Sequence, residues 1–282
     1  MVDRVAPPGH GRGMFETAFA KINLALHVRH RRADGYHAIE TLFAFAEDGD
    51  VLRLTDAEGL SVTGPFAAAI GGGDNLVTRA AEAYRARFGG AAAGFALDKR
   101  LPVAAGIGGG SADAAAALRL LARRDGVAAD HPDLHAIGAE LGADVPACLV
   151  SRTVRGDGRG DALRAVDDAG LAGMALLLVN PNVPLATGPV FAGWDGVDRG
   201  ALAEGEPLVV AQAARNDLAL PACHLRPEIE AVLDWLSAQE GVVLVRMSGS
   251  GATCFALFTD DAARDRVVVP PHWWTLATRI RG

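Results

Sequence analysis

The stretch Pro102-Val-Ala-Ala-Gly-Ile-Gly-Gly-Gly-Ser-Ala-Asp113 joins a predicted strand to a predicted helix and decides how this chain is expected to fold. Its glycines allow main-chain N–H groups to converge on an anion, and the following helix adds about half a positive charge at its N-terminus. Residues 111–124 are rich in Ala and Leu, which favours that helix. The stretch predicts a phosphate-binding loop, although glycines also occur in strand-to-helix turns that bind nothing.

This loop does not match the two common nucleotide-binding motifs. It lacks the Gly-x-x-x-x-Gly-Lys-Ser/Thr pattern of the usual phosphate loop. Ser111 stands where the dinucleotide fingerprint has its third glycine. The sequence around the loop must therefore identify the nucleotide site.

The segment that precedes the loop predicts a sheet and a helix. Apolar residues alternate from Ala20 to Val28, which is the two-residue period of a half-buried strand, and Lys21 and Asn23 then share its other face. Residues 41–46 and 51–55 predict two more strands, and residues 94–97 predict another. Asp74 or Asn75 is placed to cap a helix that runs over residues 76–88.

The segment that follows the loop predicts a second α+β unit. A helix is expected over residues 130–142, a buried strand at 174–179, helices at 208–218 and 227–238, and paired strands at 242–247 and 253–258. Glycine-dense residues 155–161 break the pattern and predict a domain boundary. We therefore expect domains at residues 14–160 and 161–282.

Four further features are candidates for function, each with a structural alternative. Asp144 precedes a predicted helix and is either a catalytic carboxylate or an N-cap. Lys21 either faces a ligand together with Asn23 or reaches solvent. The Ser248-Gly-Ser-Gly segment is either a phosphate contact or a hairpin turn. His131 and a second histidine four residues later suit a solvated helix face better than a metal site, since no third ligand lies nearby in sequence.

Composition excludes several classes of protein. A net charge of −7 without basic blocks argues against a nucleic-acid partner. Three widely separated cysteines suggest neither disulfides nor a zinc site. No apolar stretch is long enough for a membrane span and no signal core is present, so a cytoplasmic protein is expected. Residues 2–13 have no hydrophobic period, and we expect a disordered lead-in or an overlong start ahead of Met14.

Six ordered motifs together resemble the galactokinase, homoserine kinase, mevalonate kinase and phosphomevalonate kinase (GHMP) superfamily. They are Ala20-Lys-Ile-Asn-Leu24, Arg32-Ala-Asp-Gly-Tyr-His37, Asp98-Lys-Arg-Leu-Pro102, the loop of residues 106–111, Leu141-Gly-Ala-Asp-Val-Pro146 and Ser248-Gly-Ser-Gly-Ala252. The resemblance implies a two-domain α+β fold, with an N-terminal domain like domain 2 of ribosomal protein S5 and a C-terminal ferredoxin-like domain. It is nearest to the branch that uses ATP to phosphorylate the 2-hydroxyl of 4-diphosphocytidyl-2-C-methyl-D-erythritol, in the non-mevalonate route to isoprenoids.

The same resemblance implies a role for each candidate residue. Asp144 is the expected base and Lys21 the cation that orients it and stabilises the transferring phosphoryl group. The implied ATP-binding residues are Asn75, Lys99, Pro102, Val103, Ala104, Ala105, Gly106, Ile107, Gly108, Gly109, Gly110, Ser111 and Ala112. The implied residues for the cytidine-diphosphate-linked substrate are Asn23, Tyr36, His37, Thr187, Phe191, Gly249 and Gly251.

Four points stay open from the sequence. Ala112 stands where the family often has a second serine, so Mg²⁺ is expected to arrive with ATP and is assigned no protein ligand. One alternative is a kinase for mevalonate, homoserine or a sugar, which would need the same ATP loop but would not need Tyr36, His37 and Phe191 as a base-binding set. A nucleotide sensor on the same fold is a further alternative, which the presence of both Lys21 and Asp144 disfavours. The sequence does not indicate an oligomeric state.

Overall fold

The computed structural model of the chain describes residues 13–71 and 75–282. The expectation for the N-terminal lead-in, apart from Gly13, and the alternative cap at Asp74 lie outside the described residues. The strands are β1 Phe15–Arg31, β2 His37–Thr55, β3 Gly59–Thr63, β4 Gly94–Asp98, β5 Val154–Asp157, β6 Ala162–Ala165, β7 Ala175–Asn180, β8 Val242–Met247, β9 Cys254–Phe258 and β10 Trp274–Arg279. The helices are α1 Leu76–Phe88, α2 Gly109–Asp125, α3 Pro132–Leu141, α4 Val145–Val150, α5 Thr187–Ala192, α6 Pro207–Ala213, α7 Ala219–Leu225, α8 Glu228–Ser237 and α9 Asp261–Asp265.

The first sheet is built on a long antiparallel hairpin of β1 and β2. β2 also pairs with β4 near its end and with β5 near its start, and β3 and β6 extend the sheet on either side. The two strands expected at residues 41–46 and 51–55 are thus one continuous strand. The pairing of this strand with β1 shifts register between Phe19 and Lys21, next to Gly49. A Cβ atom at Gly49 would lie only 1.9 Å from the Ala18 carbonyl oxygen, so glycine permits the close approach of the two backbones there.

The second sheet has the ferredoxin-like arrangement that the resemblance implied. Its strand order is β10-β7-β9-β8 and all three pairings are antiparallel. Helices lie between β7 and β8 and between β9 and β10, so the chain follows a β-α-β-β-α-β path. The predicted strands at 242–247 and 253–258 pair as expected.

The two sheets pack face to face with helices on their outer faces. The side chains of β7 alternate between the two faces of the second sheet. Leu176 and Leu178 pack towards the first sheet, whereas Leu177 and Val179 pack towards the helices of the second half. On the first sheet, the opposite face is covered mainly by α1 and the alanine-rich α2. The apolar core is therefore continuous from one half of the chain to the other, which fixes the cleft between them.

Several local predictions are confirmed at the helix ends. The Asn75 side chain accepts a hydrogen bond from the Val77 N–H at 2.8 Å and caps α1, which ends before Gly89. The helix expected from residue 130 begins at Pro132, and His131 caps it by accepting from the Asp133 N–H, a cap that the sequence did not predict. In the part of the chain that the structure describes, no helix has both the length and the apolar character needed to cross a membrane.

The expected domain boundary near residue 160 falls inside a hairpin. Residues 155–161, which predicted the boundary, include most of β5 and the turn into β6, and both strands belong to the first sheet. We therefore propose that the division lies after Ala165. β6 was not predicted because its side chains are mostly exposed and show no hydrophobic alternation.

Candidate functional site

A cleft of about 860 Å³ lies between the two halves of the chain. Segments that are far apart in sequence line it: β1, the β1–β2 turn, the loop before α2, the start of α4, α5 and the β8–β9 turn. The cleft contains both members of the predicted catalytic pair and both predicted glycine segments. The fold therefore brings together residues that the sequence separates by more than 200 positions, such as Lys21 and Gly249.

A chain of polar contacts holds the lysine at the centre of the cleft. Lys21 Nζ lies 3.1 Å from Asp144 Oδ2 and donates a hydrogen bond of 2.8 Å to Asn23 Oδ1. Asn23 Nδ2 donates in turn to Thr41 Oγ1 at 2.8 Å, which fixes the orientation of the amide. Because Lys21 and Asn23 lie on the same face of β1 and are both buried, the ammonium has little freedom to move.

Asp144 occupies the N-cap position of α4, but its side chain makes no capping hydrogen bond. The Asp144 side chain therefore does not act as the N-cap that the sequence allowed as an alternative. Its carboxylate instead contacts Lys21 and is partly exposed to the cleft, with 36% of the side chain accessible. A carboxylate that is held by one cation and open on its other side is free to accept a proton from a bound hydroxyl.

The glycine loop passes directly over this pair. Gly108 precedes α2 with φ of +66°, and a Cβ atom there would lie 3.1 Å from Lys21 Cε. The Lys21 main-chain N–H also donates to the Ile107 carbonyl at 3.0 Å. The loop is thus attached to β1 immediately beside the ammonium, and the N-terminus of α2 faces the cleft.

The Ser248-Gly-Ser-Gly segment closes the same site and is more than a hairpin turn. Ser248 Oγ donates to the Gly106 carbonyl at 2.8 Å, and the Thr253 N–H donates to the Ala105 carbonyl at 3.1 Å. Gly249 has φ of +55°, and a Cβ atom there would lie 2.9 Å from the Gly106 carbonyl oxygen. The two glycine segments therefore touch backbone to backbone, which a larger residue at this position would prevent.

An aromatic pocket forms the other end of the cleft. The His37 ring stacks on Phe191 with centroids 5.1 Å apart and meets the edge of Trp194 at 5.6 Å. Burial lowers the pKa of His37 from its ordinary value of 6.5, and the charge of Arg31 lowers it further. The imidazole is therefore neutral at pH 7, so one ring nitrogen donates a hydrogen bond and the other accepts one.

Tyr36 borders this pocket in a different way. Its ring is 56% exposed and carries the Arg159 guanidinium over one face, 5.4 Å from the ring centroid. Thr187, at the start of α5, shares a hydrogen bond of 3.0 Å with Ser250 and links the aromatic end of the cleft to the β8–β9 turn. Both residues line the cleft, as predicted.

Several predicted ATP-binding residues lie beside the cleft without lining it. The loop residues that face it are Ala104, Ala105, Gly106, Gly108, Gly109, Gly110 and Ser111. Ile107 and Ala112 point into the core. Pro102, Val103 and Gly251 belong to the loops but do not face the cavity, and Asn75 caps α1 next to Leu76, which does face it.

Lys99, which the resemblance implied for ATP binding, does not line the cleft. Its side chain is only 2% exposed, and Nζ lies 2.6 Å from both Asp50 Oδ2 and Asp113 Oδ2. Asp50 Oδ1 also accepts from the main-chain N–H groups of Arg100 and Leu101 at 2.6 and 2.8 Å. Leu101 precedes the loop and Asp113 follows it. The hydrogen bonds of the Asp50–Lys99–Asp113 cluster therefore connect the two ends of the loop through the protein interior.

This buried cluster predicts a pH-dependent stability. Burial raises the pKa of Asp113 to about 7, and Asp50 adds to the rise while the Lys99 ammonium opposes it. Because the folded state holds this proton more tightly than the unfolded chain, the resulting stabilisation is complete below about pH 4 and is lost as the pH rises to about 7. Between about pH 4 and pH 7, this proton makes the free energy of unfolding of the wild type fall with pH by at most about 1.4 kcal/mol per pH unit. We expect the Asp113→Asn variant to lack this part of the pH dependence. Urea unfolding of both proteins from pH 4 to 8 measures it, and parallel pH profiles would contradict the assignment.

Four polar or aromatic residues that line the cleft were not predicted from the sequence: Arg31, Arg159, Trp194 and Ser250. Ser250 lies within the quoted Ser-Gly-Ser-Gly motif, Trp194 lies three residues beyond Phe191, and Arg31 precedes the quoted motif that begins at Arg32, so these three carried a weak signal. Arg159 lies in the segment that predicted a domain boundary, and only the β5–β6 hairpin brings it to Tyr36. Its position depends on a tertiary contact that no local pattern indicates.

A cationic side chain, a carboxylate and a glycine loop meet here at one helix N-terminus, which is an arrangement suited to phosphoryl transfer. The family model described as "GHMP kinases N terminal domain" matches residues 75–152, and that described as "GHMP kinases C terminal" matches residues 200–269. The chain belongs to the GHMP kinase family and is a small-molecule kinase.

Several relatives of high sequence identity share one named activity. A 4-diphosphocytidyl-2-C-methyl-D-erythritol kinase of Rhizorhabdus wittichii is 59% identical over 276 residues, which cover 94% of each chain. The crystal structure of a 4-(cytidine 5'-diphospho)-2C-methyl-D-erythritol kinase superposes with a TM-score of 0.72 at 32% identity, covering 95% of this chain and all of the other. The mevalonate kinase of Methanococcus jannaschii, at 9% identity and a TM-score of 0.68 over 97% of this chain and all of the other, shares the fold alone.

Proposed function

We propose that this enzyme transfers the γ-phosphoryl group of ATP to the 2-hydroxyl of 4-diphosphocytidyl-2-C-methyl-D-erythritol, a step of the non-mevalonate route to isoprenoids. The observation that carries the proposal is the contact of Lys21 Nζ with Asp144 Oδ2 at 3.1 Å beneath the glycine loop. Relatives that are 46–59% identical across nearly the whole chain bear the name of this activity.

In the proposed mechanism, Asp144 accepts the proton of the substrate hydroxyl as that oxygen attacks the γ-phosphorus. Lys21 orients Asp144 and places its positive charge beside the oxygens on which negative charge develops. Because phosphoryl transfer has a loose transition state, positioning and charge stabilisation contribute more than early removal of the proton. The hydrogen bond from Lys21 to Asn23 keeps the ammonium directed into the cleft.

ATP is proposed to lie with its phosphates on the loop of residues 104–111. Main-chain N–H groups at the start of α2 and the dipole of that helix favour the bound anion. Mg²⁺ neutralises phosphate charge when bound, and it commonly keeps several waters and phosphate oxygens as ligands. The described cleft offers the Asp144 carboxylate and the Ser111 hydroxyl as protein oxygens on that side, which suits a metal that enters with the nucleotide.

The cytosine of the acceptor is proposed to bind in the aromatic pocket. His37 and Phe191 supply ring faces, and the neutral His37 ring offers both a donor and an acceptor for the edge of the base. Asn23 and Thr187, which also line the cleft, are proposed to hold the sugar alcohol or its diphosphate. Gly249 and Gly251 stay predicted contacts of the acceptor.

The direct test is phosphorus NMR of the product formed from ATP and 4-diphosphocytidyl-2-C-methyl-D-erythritol. We expect a new phosphomonoester signal coupled to the C2 position, together with ADP. Mevalonate, homoserine and galactose serve as competing acceptors in parallel reactions. Transfer to one of these instead of the cytidine compound would assign the chain to another branch of the family, and ATP binding without transfer would favour a sensor.

Removal of the stacking face at Phe191 should weaken acceptor binding selectively. Stacking of a base on an aromatic ring is worth about 1–3 kcal/mol, so we expect Phe191→Leu to raise the KM for the acceptor about 5- to 100-fold. The KM for ATP should stay within about twofold, because the glycine loop lies at the other end of the cleft. Steady-state kinetics with each substrate varied in turn measures both. A rise confined to the KM for ATP would show that the two pockets have been assigned the wrong way round.

A further inference from the structure

The cleft carries an excess of positive charge that the catalytic pair does not explain. The charged side chains that line it are Lys21, Arg31, Arg159 and Asp144, which is three cations against one carboxylate. The chain as a whole has a net charge of −7. Asp144 contacts Lys21, and Asp161 pairs with Arg159 from outside the cleft lining. Among the described residues, Arg31 is therefore the cation of this wall whose charge no carboxylate offsets.

Arg31 lies at the entrance of the aromatic pocket. It is the last residue of β1 and pairs across the hairpin with His37, whose pKa its charge helps to lower. Its side chain is exposed and, within residues 13–71 and 75–282, has no carboxylate partner and no side-chain hydrogen bond. The neighbouring arginines differ in this respect, since Arg29 is paired with Glu40 and Arg32 with Asp34. Arg31 thus has all of its guanidinium donors available to a ligand.

Arg159 approaches the same pocket from the β5–β6 turn. Its Nε and Nη2 atoms donate to Asp161 at 2.9 and 2.5 Å, and its guanidinium plane lies over the Tyr36 ring. The turn is attached to β2 by the hydrogen bond of 2.7 Å from the Ile39 N–H to the Gly158 carbonyl. Arg159 is therefore held beside Tyr36, and its Nη1 makes no hydrogen bond within the part of the chain that the structure describes.

The ligand chemistry that matches two arginines beside a base pocket is a diphosphate. Guanidinium groups bind phosphate through parallel N–H donors and are more weakly hydrated than ammonium groups. The glycine loop supplies main-chain amides for the phosphates of ATP, whereas the acceptor carries a second diphosphate that starts from the nucleoside. On the proposed function, that second diphosphate passes from the aromatic pocket towards Asp144 along the wall that holds both arginines.

We propose that Arg31 and Arg159 bind the diphosphate of the acceptor and thereby select a nucleoside-diphosphate-linked alcohol over an uncharged one. This inference rests on the proposed function and extends it to residues outside the motifs of the family resemblance. The arginines touch the non-reacting part of the substrate, so they contribute to binding in the ground state and the transition state alike. Their removal therefore raises KM for the acceptor and leaves kcat and the KM for ATP nearly unchanged.

The test compares CDP with cytidine, which share the base and ribose and differ in the diphosphate. The proteins are the wild type, Arg31→Gln, Arg159→Gln and the double variant, with Arg266→Gln as a control because Arg266 is exposed and does not line the cleft. Isothermal titration at one ionic strength gives the dissociation constants, and thermal melting checks that each variant is folded. Charge-assisted hydrogen bonds are worth about 1.5–3 kcal/mol, so the double variant should bind CDP about 10- to 100-fold more weakly while cytidine changes less than about twofold.

The possible outcomes separate this inference from the function on which it rests. Undiminished CDP affinity in the folded double variant would overturn the inference, and so would equal losses for CDP and cytidine, since the arginines would then only support the base pocket. Both outcomes are compatible with normal product formation, which leaves the proposed function standing. Failure of the wild type to bind CDP or to form product would overturn both together. A matching loss in Arg266→Gln would show a general charge effect and also overturn the inference.

Discussion

Replacement of Asp144 by Asn is expected to lower kcat about 10²- to 10⁴-fold, which is the range that general base catalysis supplies. The amide keeps the size of the carboxylate and can still accept a hydrogen bond from Lys21, which also retains its bond to Asn23. The variant should therefore fold normally and bind ATP with a KM within about twofold of the wild type. A loss in kcat without a change in KM is the signature of an interaction made only in the transition state.

The matched control for this prediction is Asp130→Asn, which makes the same chemical change at an exposed residue outside the cleft. Its kcat should stay within about twofold of the wild type. Single-turnover measurements separate phosphoryl transfer from product release, so a slow chemical step can be assigned directly. A fully active Asp144→Asn protein would remove the carboxylate from the mechanism and leave charge stabilisation by Lys21 and the loop as the whole of catalysis.

The parts of the fold and site that the sequence predicted are those set by local patterns. The alternation around Lys21 predicted that it shares a strand face with Asn23, and the structure joins the two by a hydrogen bond. The glycine run followed by alanines predicted a loop and helix, and α2 begins within two residues of the expected position. Strand period, helix composition and capping act over a few residues, so a sequence displays them without knowledge of the fold.

The features that escaped prediction depend on contacts between distant segments. The resemblance implied that Lys99 binds ATP, yet its ion-pair partners Asp50 and Asp113 are 49 and 14 residues away and hold it beneath the loop. Trp194 and Arg159 reach the aromatic pocket only because α5 and the β5–β6 turn pack against the β1–β2 hairpin. Short edge strands such as β6 have no buried face and hence no period to detect.

Lys99→Met is expected to lower the free energy of unfolding by about 3–5 kcal/mol at pH 7.5, which is the usual cost of removing one partner of a buried ion pair. Methionine has a similar volume to lysine, so the loss arises from charge and not from a cavity. The variant leaves Asp50 and Asp113 facing each other without a cation in a site where both are almost inaccessible to solvent. The penalty should shrink towards pH 5, because protonation of the carboxylates removes the uncompensated charge.

The neighbouring residue supplies the control, since Arg100→Met removes an exposed ion pair with Asp98 and should cost less than about 1 kcal/mol. Urea unfolding of both variants at several pH values makes the comparison, and adding Asp113→Asn to Lys99→Met should recover part of the loss. If Lys99→Met were as stable as Arg100→Met but raised the KM for ATP, the lysine would be a nucleotide ligand after all. Because the cluster joins Leu101 to the first turn of α2, we expect the opposite: a less stable protein whose glycine loop loses its fixed ends.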